Sequence, residues 1–384
     1  MKKQNLTKTM NPGIQFLISY AVPIVFTILI AFAIPLSGFS GEYLIKEVMT
    51  RVSRNLFLIL SLLIPVMAGM GMNFGIVLGA MAGQISLIFI TDWQIVGLPG
   101  MLLAILMSTP IAILLGYFGG VVLNRAKGRE MVTGFILAFF MNGIYQLVVL
   151  YGMGNIIPIT NPLVLLPKGA GIRNAISLLG IRQVLDKLIP LNIGGMSIPI
   201  ASFLAIAALC VFIVWFGKTK LGHEMRTVGQ DNDIARISGI DVGKTRILSI
   251  IISTVLACYG QIIFLQNIGT MNTYDSHAQA GVFAIAALLT GGASVAKATI
   301  SNAFVGVILF HVMFVVSPRA GKELMGQAQL GEYFRVFFAY GVIAFSLAMY
   351  AWRKQVEKEN ERKKAMALKR TSLQSSDISG GDKS

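Results

Sequence analysis

Glu224-Met-Arg-Thr-Val-Gly-Gln-Asp-Asn-Asp-Ile-Ala-Arg-Ile-Ser-Gly-Ile240 is the core of a polar interlude, Lys218 to Arg246, set between the apolar runs 199–216 and 247–266. Asp231 or Asp233 is placed to cap a short helix, because a carboxylate accepts the N–H groups that a first helical turn leaves unpaired. The helix would carry Ile234 and Ile237 on one face with Arg236 beside them. Gly239 is placed to end it in the left-handed conformation. Isoleucines on a short polar helix need a cover, either a groove in a partner protein or the membrane surface. A docking element interposed between two membrane-length apolar runs sets the class: an integral membrane chain with a shaped polar loop.

Working outward, the rest of the chain agrees. Of 384 residues 55% are hydrophobic and 13% charged, with a mean hydropathy of +0.73; a soluble domain carries about 25% charged residues. A span needs about 20 apolar residues at ~1.5 Å each. Ten runs qualify as candidates: 16–36, 56–72, 74–90, 98–123, 131–152, 199–216, 247–266, 280–290, 300–317 and 333–352. The eighth is too short to cross alone and reads as tilted or broken. The expected fold is all-α, a polytopic membrane protein of about ten transmembrane helices occupying residues 1–352. Within it lie an inner loop at 217–246 and an outer loop at 153–198. A basic, partly disordered tail at 353–384 follows, able to touch anionic lipid. Met1-Lys-Lys and the run from Phe16 imitate a signal peptide but lack a small-x-small cleavage site, so the run reads as a retained first span.

The net charge of +15 would suggest nucleic acid in a soluble protein. Threading ten spans from an inner N-terminus puts 22 basic residues inside and nine outside, with Arg335 at a border. That excess is the positive-inside pattern, so both termini are expected in the cytoplasm and no nucleic-acid partner is expected. All 17 acidic residues fall outside the apolar runs, which hold only His311 and the border residue Arg335 as ionisable groups. Proton-coupled carriers need an ionisable relay in the membrane. A lone His between Phe310 and Val312 reads as a core residue before it reads as a relay.

Two motif-like stretches carry less than they suggest. Ser238-Gly-Ile-Asp-Val-Gly243-Lys244-Thr245 approaches a phosphate-binding loop, but Ser238 replaces the first glycine and no strand precedes it. Any ATP and its Mg must then be used by another chain. The histidines His223, His277 and His311 are scattered without metal spacing, so no metal site, catalytic residue or bound cofactor is expected. Cys210 and Cys258 lie within apolar runs as packing residues.

Gly75, Gly79 and Gly83, and again Gly116 and Gly120, recur every four residues. This spacing lets another helix backbone approach closely; packing is the first reading and pore lining the second. Met70-Gly-Met-Asn73-Phe-Gly75 is a weak point between two spans, either a tight turn or the edge of a translocation path. In the outer loop, Ala175–Ile189 places apolar residues near helical spacing, as in an amphipathic surface helix. Uncharged polar residues inside spans are candidates for a solute path: Asn73, Gln84, Asn142, Gln146, Gln261, Gln266, Asn267 and Asn302. Interhelical hydrogen bonding is the alternative role for each.

Gly222–Val316 resembles the C-terminal half of permease subunits of bacterial ATP-binding-cassette importers, in the group serving branched-chain amino acids, ribose and other simple sugars, and nucleosides. The resemblance rests on Glu224–Ile240, on Leu256-Ala-Cys-Tyr-Gly-Gln-Ile and on Ala284-Ile-Ala-Ala-Leu-Leu-Thr-Gly-Gly-Ala-Ser294, in that order. In the N-terminal half, Asn73 stands where the family often has an acid; in the C-terminal half, Phe283 stands where an Asp often precedes Ala-Ile-Ala-Ala. These departures, with Leu166-Pro-Lys-Gly-Ala-Gly-Ile-Arg-Asn-Ala175, resemble the simple-sugar or nucleoside branch. The resemblance implies a type II importer permease in the plasma membrane, not itself an enzyme. It implies separate ATPase subunits, a second permease (the same or a sister chain) and an extracytoplasmic substrate-binding protein. Arg226, Gln230, Asp231, Ile234, Ala235, Arg236 and Gly239 would then form the ATPase-docking surface. The alternative function is an ion-gradient-driven secondary transporter of a small polar solute, which the lack of in-span carboxylates disfavours.

Overall fold

The computed structural model describes residues 12–348 and residue 355, apart from 168, 194, 195, 328, 338, 346 and 347. The tail at 353–384, residue 355 excepted, and the first eleven residues lie outside the described residues. Helices α1 (Pro12–Ser37), α2 (Gly41–Ser61), α3 (Leu63–Met67), α4 (Ile76–Asp92), α5 (Gly97–Arg125) and α6 (Glu130–Leu147) form the first half. A π-turn at Val148–Gly152 extends α6. After the loop come α8 (Ile200–Phe216), α9 (Lys220–Gln230), α10 (Asn232–Ile237), α11 (Val242–Ile268), α12 (Ser276–Thr290) and α13 (Ile300–Met325). Residues 329–337 and 339–345 are helical, reaching into the tenth candidate run.

Most described residues of the ten apolar runs are helical, residues 68–72 being the longest exception. Among the described residues six helices are long and apolar enough to cross a membrane, or seven if α8 and α9, bent by 75°, count as one. α4 and α12, with 17 and 15 residues, reach about 26 and 22 Å at 1.5 Å per residue, short of a ~30 Å hydrocarbon layer.

α11 is the central helix, and sequence explains how its neighbours approach it. A β-carbon at Gly79 of α4 would meet the carbonyl oxygen of Thr254, and one at Gly83 would lie 3.0 Å from that of Cys258. On α5, a β-carbon at Gly116 would lie 3.0 Å from Ile251 Cα and one at Gly120 3.1 Å from Ile247 Cγ2. Gly260 of α11 faces α2, where a β-carbon would sit 2.8 Å from Leu58 Cα. The four-residue glycine repeats are thus backbone-to-backbone seams on α11. Gly75 is separate: it faces Asn73 of its own turn. Hydroxyls tie the seams: Ser253 donates to the Ser61 carbonyl at 2.9 Å, and Thr109 and Tyr259 bond at 2.9 Å. Gly291 and Gly306 bring α12 and α13 together in the same way, against Asn302 and Ala287 carbonyl oxygens.

Two expectations are corrected. First, α2 begins at Gly41, capped by Ser40, far upstream of the apolar run at 56. Glu42, Glu47, Arg51 and Arg54 therefore lie on a helix and not in a loop, and Arg51 bonds Glu47 at 2.7 Å. Arg54 reaches Asn267 on α11 at 3.2 Å, so His311 and Arg335 are not the only ionisable groups packed among the spans. Second, 175–189 is not one amphipathic helix. It comprises β1 (Ala175–Ser177), a 3-10 turn at Leu179–Ile181 and the one-turn α7 (Val184–Leu188). Gln183 at φ 54° breaks the helical path. β1 pairs antiparallel with β4 (Thr270–Asn272), so a non-local ladder overrides the local helical spacing. A second ribbon, β2 (Pro190–Ile193) with β3 (Met196–Pro199), precedes α8. Both ribbons sit at the Ile268 end of α11; α9 and α10 sit at its Val242 end.

Candidate functional site

At the Val242 end, local chemistry builds the polar element. Thr219 caps α9 by accepting from the Gly222 N–H at 3.2 Å. Gly222, Met225 and Val228 form the buried face of α9, with Met225 packed beside Ile64, Ala68, Met70 and Phe216. Asp231 closes α9 and opens α10, its Oδ1 accepting from the N–H groups of Asp233 at 2.8 Å and Ile234 at 3.1 Å. Gly239 adopts φ 78° and donates its N–H to Arg236, while Ile240 donates to Ala235, so the αL stop forms where the glycine permits it. Two aspartates were open as caps; Asp231 holds the position.

The faces of α10 are sharply divided. Ala235 is wholly buried against Val228 and Val242, whereas Ile234 is 57% and Ile237 87% exposed. Arg226, Gln230, Asp231, Arg236 and Gly239 are also exposed. Ala235 is therefore removed from the docking surface: its methyl anchors α10 to α9 and α11. Ile237 is the most exposed apolar side chain of the element. The Ser238–Thr245 stretch forms a turn and the first residues of α11, and a helix precedes it instead of a strand.

This element rests on a braced floor. A β-carbon at Gly69 would lie 2.8 Å from Gly229 Cα, so the end of α9 lies directly on the break between α3 and α4. Gly69 and Gly71 turn the break at φ 70° and 71°, and Asn73 Oδ1 accepts from the Gly75 N–H at 2.9 Å. Of the two readings of this stretch, the tight turn forms, beneath α9. Arg246 of α11 pairs with Glu130 at the start of α6 and donates to the Met70 sulfur at 2.8 Å. Both charged side chains are nearly buried, where removing one partner would leave the other stranded.

The eight amides proposed for a path do not form one site. Gln266 and Asn267 close the Ile268 end of α11: both donate to Asp186 Oδ2, at 3.2 and 2.7 Å, and Ser202 donates to Asp186 Oδ1 at 2.6 Å. Asn302 completes a capping box with Thr299 and donates to the Gly291 carbonyl at 2.7 Å. Asn73 serves the break. Gln261 is fully buried on α11, with neither end of its amide hydrogen-bonded among the described residues.

Gln84 and Asn142 do come together, around a residue that sequence reading had set aside. His277, the second residue of α12, lies with Nδ1 2.7 Å from Gln84 Oε1 and Nε2 2.8 Å from Asn142 Oδ1. Tyr145 donates its hydroxyl to Gln84 Oε1 at 3.1 Å, and its ring meets the imidazole edge-on at 4.7 Å. Gln84 donates to the Asn272 carbonyl at 3.4 Å. Gln146, half-buried, lies one turn beyond Asn142 on α6. His311 is buried beside Phe310 and Phe314, its Nδ1 without a hydrogen-bond partner among the described residues.

Comparison with known proteins follows the same lines. The family model described as branched-chain amino acid transport system / permease component matches residues 44–347. The nucleoside ABC transporter permease protein NupB of Lactococcus lactis subsp. cremoris is 29% identical over 120 residues, 30% of each chain. The galactose/methyl galactoside import permease protein MglC of Haemophilus influenzae is 31% identical over 116 residues, 30% of this chain and 34% of that one. MglC of Escherichia coli is 24% identical over 159 residues, 41% and 45% of the two chains. The chain thus aligns with less than half the length of each of these relatives. No solved structure matches it.

Proposed function

The chain belongs to the family of branched-chain amino acid transport system permease components, and from that premise we propose that it is the membrane path of an ATP-driven importer. It would carry a small uncharged polar solute, a simple sugar or a nucleoside; relatives named for nucleoside and galactose transport support that class. A separate ATPase subunit, using ATP and Mg, would dock on α10. A second permease subunit would complete the path, and an extracytoplasmic binding protein would deliver solute. The α9–α10 end and both termini would face the cytoplasm of a bacterial plasma membrane, as the basic excess suggests.

The observation that carries this reading is the pair Ile234 and Ile237, exposed on a helix whose other face is pinned by Ala235. Apolar side chains held rigidly outward on an otherwise charged loop fit a groove in a partner. Force on α10 would pass straight to α11, because only Ser238 to Asp241 separate them, and Arg246–Glu130 and the α3–α4 break would carry it to α6 and α4. Such switching requires contacts that differ between two states.

Ile234→Asp combined with Arg236→Glu tests the assignment. The double variant is expected to insert and assemble as a bundle while ATP turnover in the whole transporter no longer drives uptake. Normal uptake by this variant would remove α10 from the docking role.

A further inference from the structure

We propose that Asn142 and Gln146 form a hydrogen-bonding station for a neutral, hydroxyl-rich or nucleobase-bearing solute, held in register from behind by His277, Gln84 and Tyr145. The proposal rests on the importer reading above and names a contact point within its path. Its basis is a contradiction of donors and acceptors that resolves in one way. The Asn272 carbonyl can only accept, so Gln84 must turn its N–H₂ toward it and its Oε1 toward Tyr145 and His277. His277 Nδ1 therefore carries the proton, and in a neutral ring Nε2 is left as an acceptor. Asn142 is placed with its own acceptor, Oδ1, 2.8 Å from that nitrogen. Two acceptors do not bond. A protonated ring would bury a charge with no carboxylate bonded to it, which the membrane interior penalises.

A half-turn of the Asn142 amide, whose oxygen and nitrogen exchange places without other movement, gives His277 Nε2 a donor. Asn142 then gives one N–H to His277 and turns Oδ1 and its second N–H outward. That outward edge is not sealed: Asn142 is half-buried. The next residue, Gly143, is exposed, and a β-carbon there would meet nothing within 4 Å. Gln146 follows on the same side of α6, about 6 Å away as neighbours one turn apart are. The two amides thus lie on one side of α6 beside the open position of Gly143. Among the described residues no charged side chain bonds to any member of the cluster, so the amide pair favours an uncharged ligand offering a donor and an acceptor together. Vicinal hydroxyls on a sugar ring or the amide edge of a nucleobase fit that description.

The test uses the complete transporter, with its ATPase and binding protein, reconstituted in vesicles and assayed with uridine, adenosine, galactose and glucose. Asn142→Leu and Gln146→Leu are expected to change the ratios of the four uptake rates by about fivefold or more, a shift that a purely structural role would not produce. Gly143→Trp, placed where space is open, is expected to assemble normally and lower uptake at least tenfold. His277→Phe is expected to reproduce the altered ratios and His277→Gln, which keeps a donor and an acceptor, to restore them in part. Unchanged ratios with undiminished uptake in Gly143→Trp would overturn the proposal, as would a wild-type transporter that takes up none of the four probes. Uptake that follows the predicted ratios but needs no ATP would contradict the importer reading instead, leaving the station intact.

Discussion

Ala235 and Ile237, two residues apart on a six-residue helix, have opposite fates, and the difference is testable. Ala235 has no room, so Ala235→Leu is expected to cost about 1–3 kcal/mol through overpacking and to expose α10 to protease in the isolated protein. Ile237 touches nothing that holds the fold. Ile237→Ser is expected to leave thermal stability unchanged and to weaken capture of the ATPase subunit about tenfold, or ~1.4 kcal/mol. Asp231→Ala removes two accepted N–H bonds; a cost of about 1 kcal/mol is expected to appear as faster hydrogen exchange at the Asp233 and Ile234 amides. At this scale the chain is highly legible, because caps and glycine stops act over three or four residues. The outward isoleucines of α10 were legible, but the burial of Ala235 was not, since Val228 and Val242 reach it only after α9 and α11 have docked. His277 escaped notice for the same reason. Its partners Gln84 and Asn142 come from two other helices, and a histidine before an alanine-rich run carries no mark of them.

Among the elements, α11 sets the architecture, and its glycine seams explain why α4 and α5 lie so close to it. Gly79→Leu would drive a side chain into the Thr254 carbonyl. It is expected to abolish recovery of monodisperse protein in detergent, whereas Gly341→Ala, where a β-carbon meets nothing within 4 Å, is expected to be tolerated. Apolar runs marked where most of the described helices lie, though the 56–72 run also takes in the non-helical break at 68–72. Their ends were less legible where polar residues continue the helix: from Gly41 the charges of α2 ride one side while Leu44, Val48 and Val52 keep apolar contact at four-residue spacing. The 175–189 stretch misled in the opposite direction, because its helical spacing yielded to pairing with β4. Asp186, unremarkable in sequence, anchors that loop to α11. Asp186→Ala would leave Ser202, Gln266 and Asn267 without their acceptor, a loss of about 1–3 kcal/mol, expected to appear as faster proteolysis between residues 153 and 198.

At the scale of the whole molecule the two ends of α11 differ in kind. One end carries an exposed, rigidly mounted apolar pair beside charged residues; the other is closed by Asp186 and two short ribbons. Between them the core is glycine seams, hydroxyls and amides. Of the buried charges among the described residues, Arg246 pairs with Glu130 across helices, and Asp92 accepts from the backbone N–H groups of Thr160 and Asn161. An energy source outside the polypeptide, acting through α10, is the account's central claim. The direct measurement compares uridine and galactose accumulation in two vesicle preparations: this chain alone under an imposed proton or sodium gradient, and the chain assembled with its ATPase and binding protein and supplied with MgATP. Accumulation only in the second preparation, lost with Ile234→Asp/Arg236→Glu, is the predicted result. Gradient-driven accumulation by the chain alone would contradict the account.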